Sequence, residues 1–374
     1  MMVSPKTEAD LSEAIASAKG PLRIIGGGTR PVGKPVAGQG LSVAGLMGIH
    51  LYEPGALTLV AATGTPLAEI NATLDAENQR LAFEPMDHRG LLGSLGTSTI
   101  GGVVAANISG PRRLQVGACR DFLLGVRFVD GTGTVLKNGG RVMKNVTGYD
   151  LVKLLAGSFG TLGVMSEVAL KVLPKAETQA ALVLDGLDDS QAVAALSAAV
   201  GSPYDISGAA HVRNGKTLIR LEGFADSVSY RCRQLREKLA VFGDVSVLSD
   251  PAKCARMWCD IRDVKAFHGS SGDVWRISVK PSDNPEICAR LGPYAQGVQS
   301  DWAGGLIWAE LPPGTDARAL MRGIKGHARI ERASDETKSR LGVFGSDGTV
   351  AEQLAVGLRR KFDPRGMLNQ GLMG

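Results

Sequence analysis

Apolar residues recur along this chain at two periods, and the switches between them mark its elements. Leu11, Ile15 and Ala18 fall on one face of a helix. Thr7 is placed to cap that helix, with Asp10 three residues later, and Gly20 ends it. "LRII" then reads as a strand, as does "LTLVAA". Pro66 opens a second helix carrying Leu67, Ile70 and Leu74. The Asp130-Gly131 pair inside "FLLGVRFVDGTGTVLKN" predicts a hairpin. Thr147 is expected to open a helix in "TGYDLVKLLAGS", and "GVMSEVALKVLP" is a strand with Val164, Val168, Leu170 and Val172 on one face.

Pro174 and "KAETQ" mark a boundary, so the first unit spans residues 1–175. Residues 176–345 read as a second α/β unit. Its strands include "AALVLDGL", "TLIRLEGFA", "VWRISVKP" and "GLIWAEL", and helices at 189–201 and 227–243 are expected to cover one face of their sheet. Residues 346–374 hold a C-terminal helix and a Pro/Gly-terminated tail. The fold class is therefore α+β.

Composition narrows the function. At 374 residues the chain is long enough for two cores, and 44% hydrophobic with 21% charged residues is ordinary for a globular protein. A net charge of +5, without a Lys/Arg block, argues against nucleic acid. No apolar run approaches the roughly 20 residues of a membrane span, and the first residues carry no signal-peptide pattern. A cytoplasmic protein is expected, peripheral to the inner membrane only through partners. The five cysteines form no C-x-x-C pair, and the five histidines lie far apart, so no metal or iron–sulfur site is expected.

The 49 glycines, which are not periodic, carry the chemistry. Gly26, Gly27 and Gly28 follow a strand as a phosphate-binding loop would, but Pro31 stands where a dinucleotide fingerprint needs its third glycine. Successive backbone N–H groups can grip an anion without a helix, and a plain glycine turn between strands is the alternative. "GTSTIGGVVAANISG", residues 96–110, is a second such stretch. Glycine at that density fills no volume as a packed core. Two such loops imply a long, phosphate-bearing ligand.

The stretches "IIGGGTR", "STIGGVVAANISGPRR", "DGTGTVLKNGG", "KNVTGYDLVKLLAGSFGTLGVMSEVALKVLP" and "FDPRGMLNQG" resemble the vanillyl-alcohol-oxidase family, with its PCMH-type two-lobed FAD-binding domain and α/β cap. Within it the chain is most similar to FAD-binding subunits of bacterial glycolate oxidase complexes. The resemblance implies that Gly26, Gly27, Gly28 and Thr29, with Gly96, Thr99, Gly101, Gly102, Asn107, Ser109 and Gly110, hold the FAD pyrophosphate. Pro85 would line its path, Gly163 and Val164 would lie beside the flavin, and Asn369 would return to it. With no histidine in the first glycine loop and no cysteine in residues 85–113, FAD is expected to be non-covalent.

Two departures stand out. Phe159 replaces a usual Glu, and the paired metal-binding histidines of related 2-hydroxy-acid dehydrogenases have no counterpart. The resemblance also implies a small 2-hydroxy acid substrate, a second flavin subunit and an iron–sulfur subunit as partners. Arg276 and Arg329 are candidates to clamp the substrate carboxylate, because Arg binds carboxylates bidentately, and His327 is a candidate base. Each also reads as an ordinary strand or loop residue. A non-catalytic flavoprotein scaffold, an electron relay and a free-standing sugar or alditol oxidase remain open alternatives.

Overall fold

The computed structural model describes residues 2–141, 148–345 and 350–373. Thr7 closes a capping box with Asp10 at the start of the helix Glu8–Ala16, and Leu11 and Ile15 are fully buried. That helix packs beside a parallel sheet of β1 (Met2–Val3), β2 (Leu22–Ile25) and β3 (Gln39–Ser42), in the order β1-β3-β2. β2 ends directly in the first glycine loop.

Strands β4 (Ile49–Glu53), β5 (Thr58–Ala62), β7 (Leu123–Val129), β8 (Val135–Gly139) and β9 (Val164–Lys171) form an antiparallel sheet in the order β4-β5-β9-β7-β8. Two short strands, β6 (Gln79–Arg80) and β10 (Leu173–Pro174), pair separately. The expected single face of β9 is not observed. The register slips where Arg127 pairs Glu167 but Phe128 pairs Met165. This bulge turns Val164 into the core around Leu11 and Ile15, while Val168, Leu170 and Val172 join the core of the larger sheet. In the β7–β8 hairpin it is Gly133, not Gly131, that has positive φ (91°). Gly131 is instead pressed against Asp363 of the C-terminal segment. Thr147 lies outside the described residues, and Asp150 caps the helix Leu151–Leu155 through its side chain.

The rest is an eight-stranded antiparallel sheet. Its strands are β11 (Thr178–Asp185), β12 (Gly208–Val212), β13 (Lys216–Gly223), β14 (Val245–Leu248), β15 (Asp273–Val279), β16 (Gly297–Asp301), β17 (Leu306–Leu311) and β18 (Gly326–Arg332). Their order is β14-β11-β13-β12-β16-β17-β15-β18. Both faces are covered, not one. Leu182 and Leu184 meet the helices Asp189–Val200 and Ala225–Leu239 on one side. Ala181 and Val183 meet the helix Pro251–Arg262 on the other, and Val274, Leu306 and Trp308 join the core of the five-stranded unit.

Buried ion pairs fasten this sheet to the first unit. Fully buried Arg220 on β13 makes two 2.9 Å bonds to the Glu84 carboxylate, and Glu222 accepts from Arg112 and Arg80. The tail returns to the start of the chain: Leu22 N–H donates to the Met367 carbonyl at 2.7 Å.

Candidate cofactor cavity and adjoining arginine pocket

The two glycine segments touch backbone to backbone. Thr97 N–H donates to the Gly27 carbonyl at 2.9 Å. A Cβ on Gly27 would lie 1.4 Å from the Thr97 carbonyl oxygen, and one on Gly96 would lie 1.8 Å from the Gly27 oxygen. Both glycines are thus demanded by loop-on-loop contact. Thr99 caps the short helix Ile100–Ala105, and Gly101 backs onto Thr63, donating its N–H to the Thr63 carbonyl at 2.8 Å.

Between the loops runs a cavity of about 630 Å³, lined by Gly26, Gly27, Gly28, Thr29, Thr99, Gly101, Gly102, Gly163, Val164 and Asn369, among others. That volume lies in the range of organic-cofactor sites. Backbone N–H groups of Gly27, Gly28 and Thr29 find no partner among the described residues, so the loop offers a row of donors to an anion. A Cβ on Gly28 would meet nothing within 4 Å, and one on Gly102 only Thr99 Oγ1 at 3.4 Å. Those two glycines leave space that the protein itself does not use. An extended, phosphate-bearing cofactor fits these residues.

Other sequence-expected positions lie elsewhere. Asn107 and Ser109 line a second pocket, and Pro85, Gly96 and Gly110 line neither. A Cβ on Gly110 would sit 2.2 Å from the Glu84 carbonyl oxygen, which accounts for that glycine without a ligand. Asn369 lines the cavity with both ends of its amide bonded to backbone. Its Oδ1 accepts from Ile24 N–H and its Nδ2 donates to the Phe159 carbonyl, both at 2.8 Å.

The second pocket, about 160 Å³, adjoins the first and shares Met86, His88, Ala106, Ile108 and Phe159 with it. Four arginines line it: Arg113, Arg120, Arg276 and Arg329. Arg276 on β15 and Arg329 on β18 are direct cross-strand partners. Glu331 pairs with both Arg329 (2.5 Å) and Arg30 (3.2 Å), and these cations hold its carboxyl down near 2 against a strong burial penalty. Arg276 has no carboxylate partner among the described residues. Burial and the neighbouring arginines, Arg329 first, lower its pKa to about 9. Its guanidinium stacks on Trp302 at 5.1 Å and Trp308 at 6.0 Å.

His88 stands at the junction of the two cavities. Arg30 Nε donates to its Nε2 at 3.0 Å. Burial and the Arg30 charge push its pKa down to about 3, so the imidazole is neutral. His327, the sequence candidate for a base, is exposed and lines a different cavity with Arg318 and Arg322. It lies two residues before Arg329 on the same strand, and the structure does not bring it to the arginine pocket. Phe159, at φ 53°, faces both cavities, with Arg30 5.3 Å from its ring. Sequence reading missed Arg30, His88, Arg113, Arg120 and Trp302. The adjacent Arg112-Arg113 pair closing the second glycine stretch was the available signal.

Comparison with known proteins agrees with this geometry. A family model described as an FAD binding domain matches residues 1–139. The glycolate oxidase subunit GlcE of Escherichia coli (strain K12) is 34% identical, over 98% of both chains. The glycolate oxidase subunit GlcD of Bacillus subtilis (strain 168) is 42% identical over only 24% of this chain and 19% of that protein. Among solved structures, an alkyldihydroxyacetonephosphate synthase superposes with a TM-score of 0.71 at 16% identity, covering 98% of this chain and 76% of that one. A chitooligosaccharide oxidase does so at 0.66 and 16%, covering 99% and 90%. The fold is the PCMH-type FAD-binding fold of the vanillyl-alcohol-oxidase family, and FAD is the cofactor. The chain belongs to the family of the glycolate oxidase subunit GlcE, among the FAD-dependent oxidoreductases.

Proposed function

We propose that this chain is the FAD-carrying subunit of a multi-subunit oxidase or dehydrogenase acting on glycolate or a similarly small 2-hydroxy acid. Its electrons would pass to a partner iron–sulfur subunit, with a second flavin subunit in the assembly. The cross-strand pair Arg276–Arg329, facing a pocket that opens onto the cofactor cavity, carries this reading. The GlcE and GlcD names of its relatives support the multi-subunit part. The non-covalent FAD would lie with its pyrophosphate on the N–H groups of Gly27, Gly28 and Thr29 and beside Gly102, and with its ring toward Gly163 and Val164. The eight-stranded unit acts as the cap that carries the substrate clamp.

Oxidising a 2-hydroxy acid takes a hydride from C2 and a proton from the hydroxyl, leaving a 2-oxo acid, here glyoxylate. FAD, when bound, supplies the hydride acceptor. Arg276 and Arg329 grip the carboxylate and orient C2, and the Arg276 guanidinium is shielded from water by the Trp302 and Trp308 rings against it. A neutral polyol would leave Arg276, which has no carboxylate partner among the described residues, without a counter-charge, which disfavours the sugar or alditol reading.

The remaining requirement is a base. Among the described residues His88 is the only titratable pocket residue besides the arginines, and its Nε2 lone pair already accepts from Arg30. With its pKa at about 3 it holds a proton poorly. Among the described residues no three His, Cys, Asp or Glu side chains converge as a metal site. These observations favour a second reading, in which the chain binds the acid but turns over only with its partners, or serves as a relay. Anaerobic reduction of the flavin by glycolate, in the isolated chain and in the co-purified assembly, tests this. Reduction in the assembly at least a hundredfold faster is expected. Equal, rapid reduction by the isolated chain would overturn the partner requirement, and no reduction in either would overturn the substrate assignment.

A further inference from the structure

Three of the four pocket arginines lack a counter-ion. Arg329 is matched by Glu331, but Arg276, Arg113 and Arg120 have no carboxylate within 4 Å among the described residues. Among the described residues, the pocket lining contains no Asp or Glu. Arg113 makes no hydrogen bond through its guanidinium among the described residues, and stacks on Trp302 at 4.5 Å. Arg120 spends one donor on the Ala156 carbonyl at 2.9 Å and is exposed at the pocket edge.

The arginines fall into two groups from two parts of the fold. Arg276 and Arg329 come from β15 and β18 of the cap, whereas Arg113 and Arg120 come from the segment after the second glycine stretch. The Trp302 indole meets both groups, with Arg113 at 4.5 Å and Arg276 at 5.1 Å from its ring. It is locked there: its Nε1 donates to the Gly110 carbonyl at 3.1 Å, and Trp302 and Ala303 both adopt positive φ, 53° and 56°. Two consecutive non-glycine residues in that conformation cost energy that the surrounding packing must sustain, a hallmark of functional sites.

A single carboxylate satisfies the Arg276–Arg329 group and leaves the other facing empty space. Unpaired guanidiniums in a partly desolvated pocket repel one another, and burial with like charge lowers the pKa of Arg276. We propose that the pocket is a two-ended anion site, and that its preferred ligand is a small 2-hydroxy acid bearing a second carboxylate held by Arg113 and Arg120. The pocket volume of about 160 Å³ leaves room for a three- or four-carbon diacid. This rests on the arginine pocket being the substrate site.

The test uses the purified, FAD-loaded full chain and two anions without a hydroxyl, so that nothing turns over. Malonate, a dianion at pH 7.5, and acetate are titrated at fixed ionic strength while the visible flavin band is followed. Malonate should bind at least tenfold more tightly than acetate. Arg113→Met should bring the two within about threefold, with acetate affinity and FAD content retained, and Arg113→Lys should recover part of the preference. Equal affinities in the unmodified protein, or a malonate preference that survives Arg113→Met combined with Arg120→Met, would overturn the second subsite alone. If neither anion perturbs the flavin, the substrate-pocket reading falls and this proposal falls with it.

Discussion

The Thr97 backbone N–H donates to the Gly27 carbonyl at 2.9 Å, and this bond joins two loops seventy residues apart into one cradle. Glycine therefore does two different jobs here. Gly27 and Gly96 exist so that the loops can touch, whereas Gly28 and Gly102 leave room for something else. Gly27→Ala should force the loops apart and lower both FAD content and thermal stability. Gly102→Val, whose Cβ meets only Thr99 Oγ1, should leave the apoprotein melting temperature within a few degrees while abolishing FAD binding. The ratio of visible to ultraviolet absorbance, with melting curves of both apoproteins, separates these outcomes. Retention of FAD by Gly102→Val would remove the cofactor from this cavity.

The flavin is expected to come off intact. Among the described residues no cysteine lines the cavity, and the one histidine that does, His88, has its Nε2 occupied by Arg30 and is held neutral. Acid precipitation should release all the FAD to the supernatant. Flavin fluorescence remaining in the washed pellet would show a covalent bond.

The attachment of the cap depends on Arg220. It is fully buried and bound at 2.9 Å through two nitrogens to Glu84, so its removal takes both of these bonds from the Glu84 carboxylate, while Glu222 keeps Arg112 and Arg80. Breaking a buried pair from one side costs about 3–5 kcal/mol. Arg220→Met should lose stability of that order in urea denaturation, and Glu84→Gln a comparable amount. A loss below about 1 kcal/mol in both, on the scale of an exposed pair, would contradict the role assigned to this network.

Asp301 gives the protein a pH signature. Burial pushes its carboxyl up from 3.8 to about 7, although it accepts from Trp302 N–H. Folding thus favours the protonated form. The stability associated with this residue is fully present below pH 3.8 and is lost as pH rises through 7. Asp301→Asn keeps an acceptor for Trp302 N–H and removes the ionisation. It should stabilise the protein at pH 8.5 by on the order of 2 kcal/mol and flatten its stability between pH 6 and 8. An unchanged pH profile in the variant would refute the assignment.

Much of the first unit was legible because its signals are local. A capping Thr, a strand running into three glycines and an amphipathic helix each need only a dozen neighbouring residues. Gly96 and Gly110 misled, since a glycine required by a passing carbonyl looks in sequence like one required by a ligand. Val164 was placed on the wrong face because a bulge, set by its pairing with β7, has no signature of its own. The covering of the second sheet face was missed because the helix Pro251–Arg262 was not read from its sequence, and the rest of that face meets a unit that lies earlier in the chain. The arginine pocket was only half visible. Arg276 and Arg329 stood out by residue type, but Arg113 and Arg120 reach them across more than 150 residues of sequence. His327 and Arg329 looked equivalent in "GHARIERA", and only the position of the pocket along β18 separates them.

The proposed anion grip beside the cofactor is Arg276. Arg276 has no carboxylate partner among the described residues, so Arg276→Met can fill its slot between Trp302 and Trp308 without orphaning an acidic group. Glycolate is titrated anaerobically into the FAD-loaded chain and into this variant, with the visible flavin spectrum recorded before any slow reduction. A saturable spectral change is expected in the unmodified chain, with the apparent Kd raised at least tenfold in Arg276→Met at equal FAD content. An unchanged Kd in the variant would contradict it.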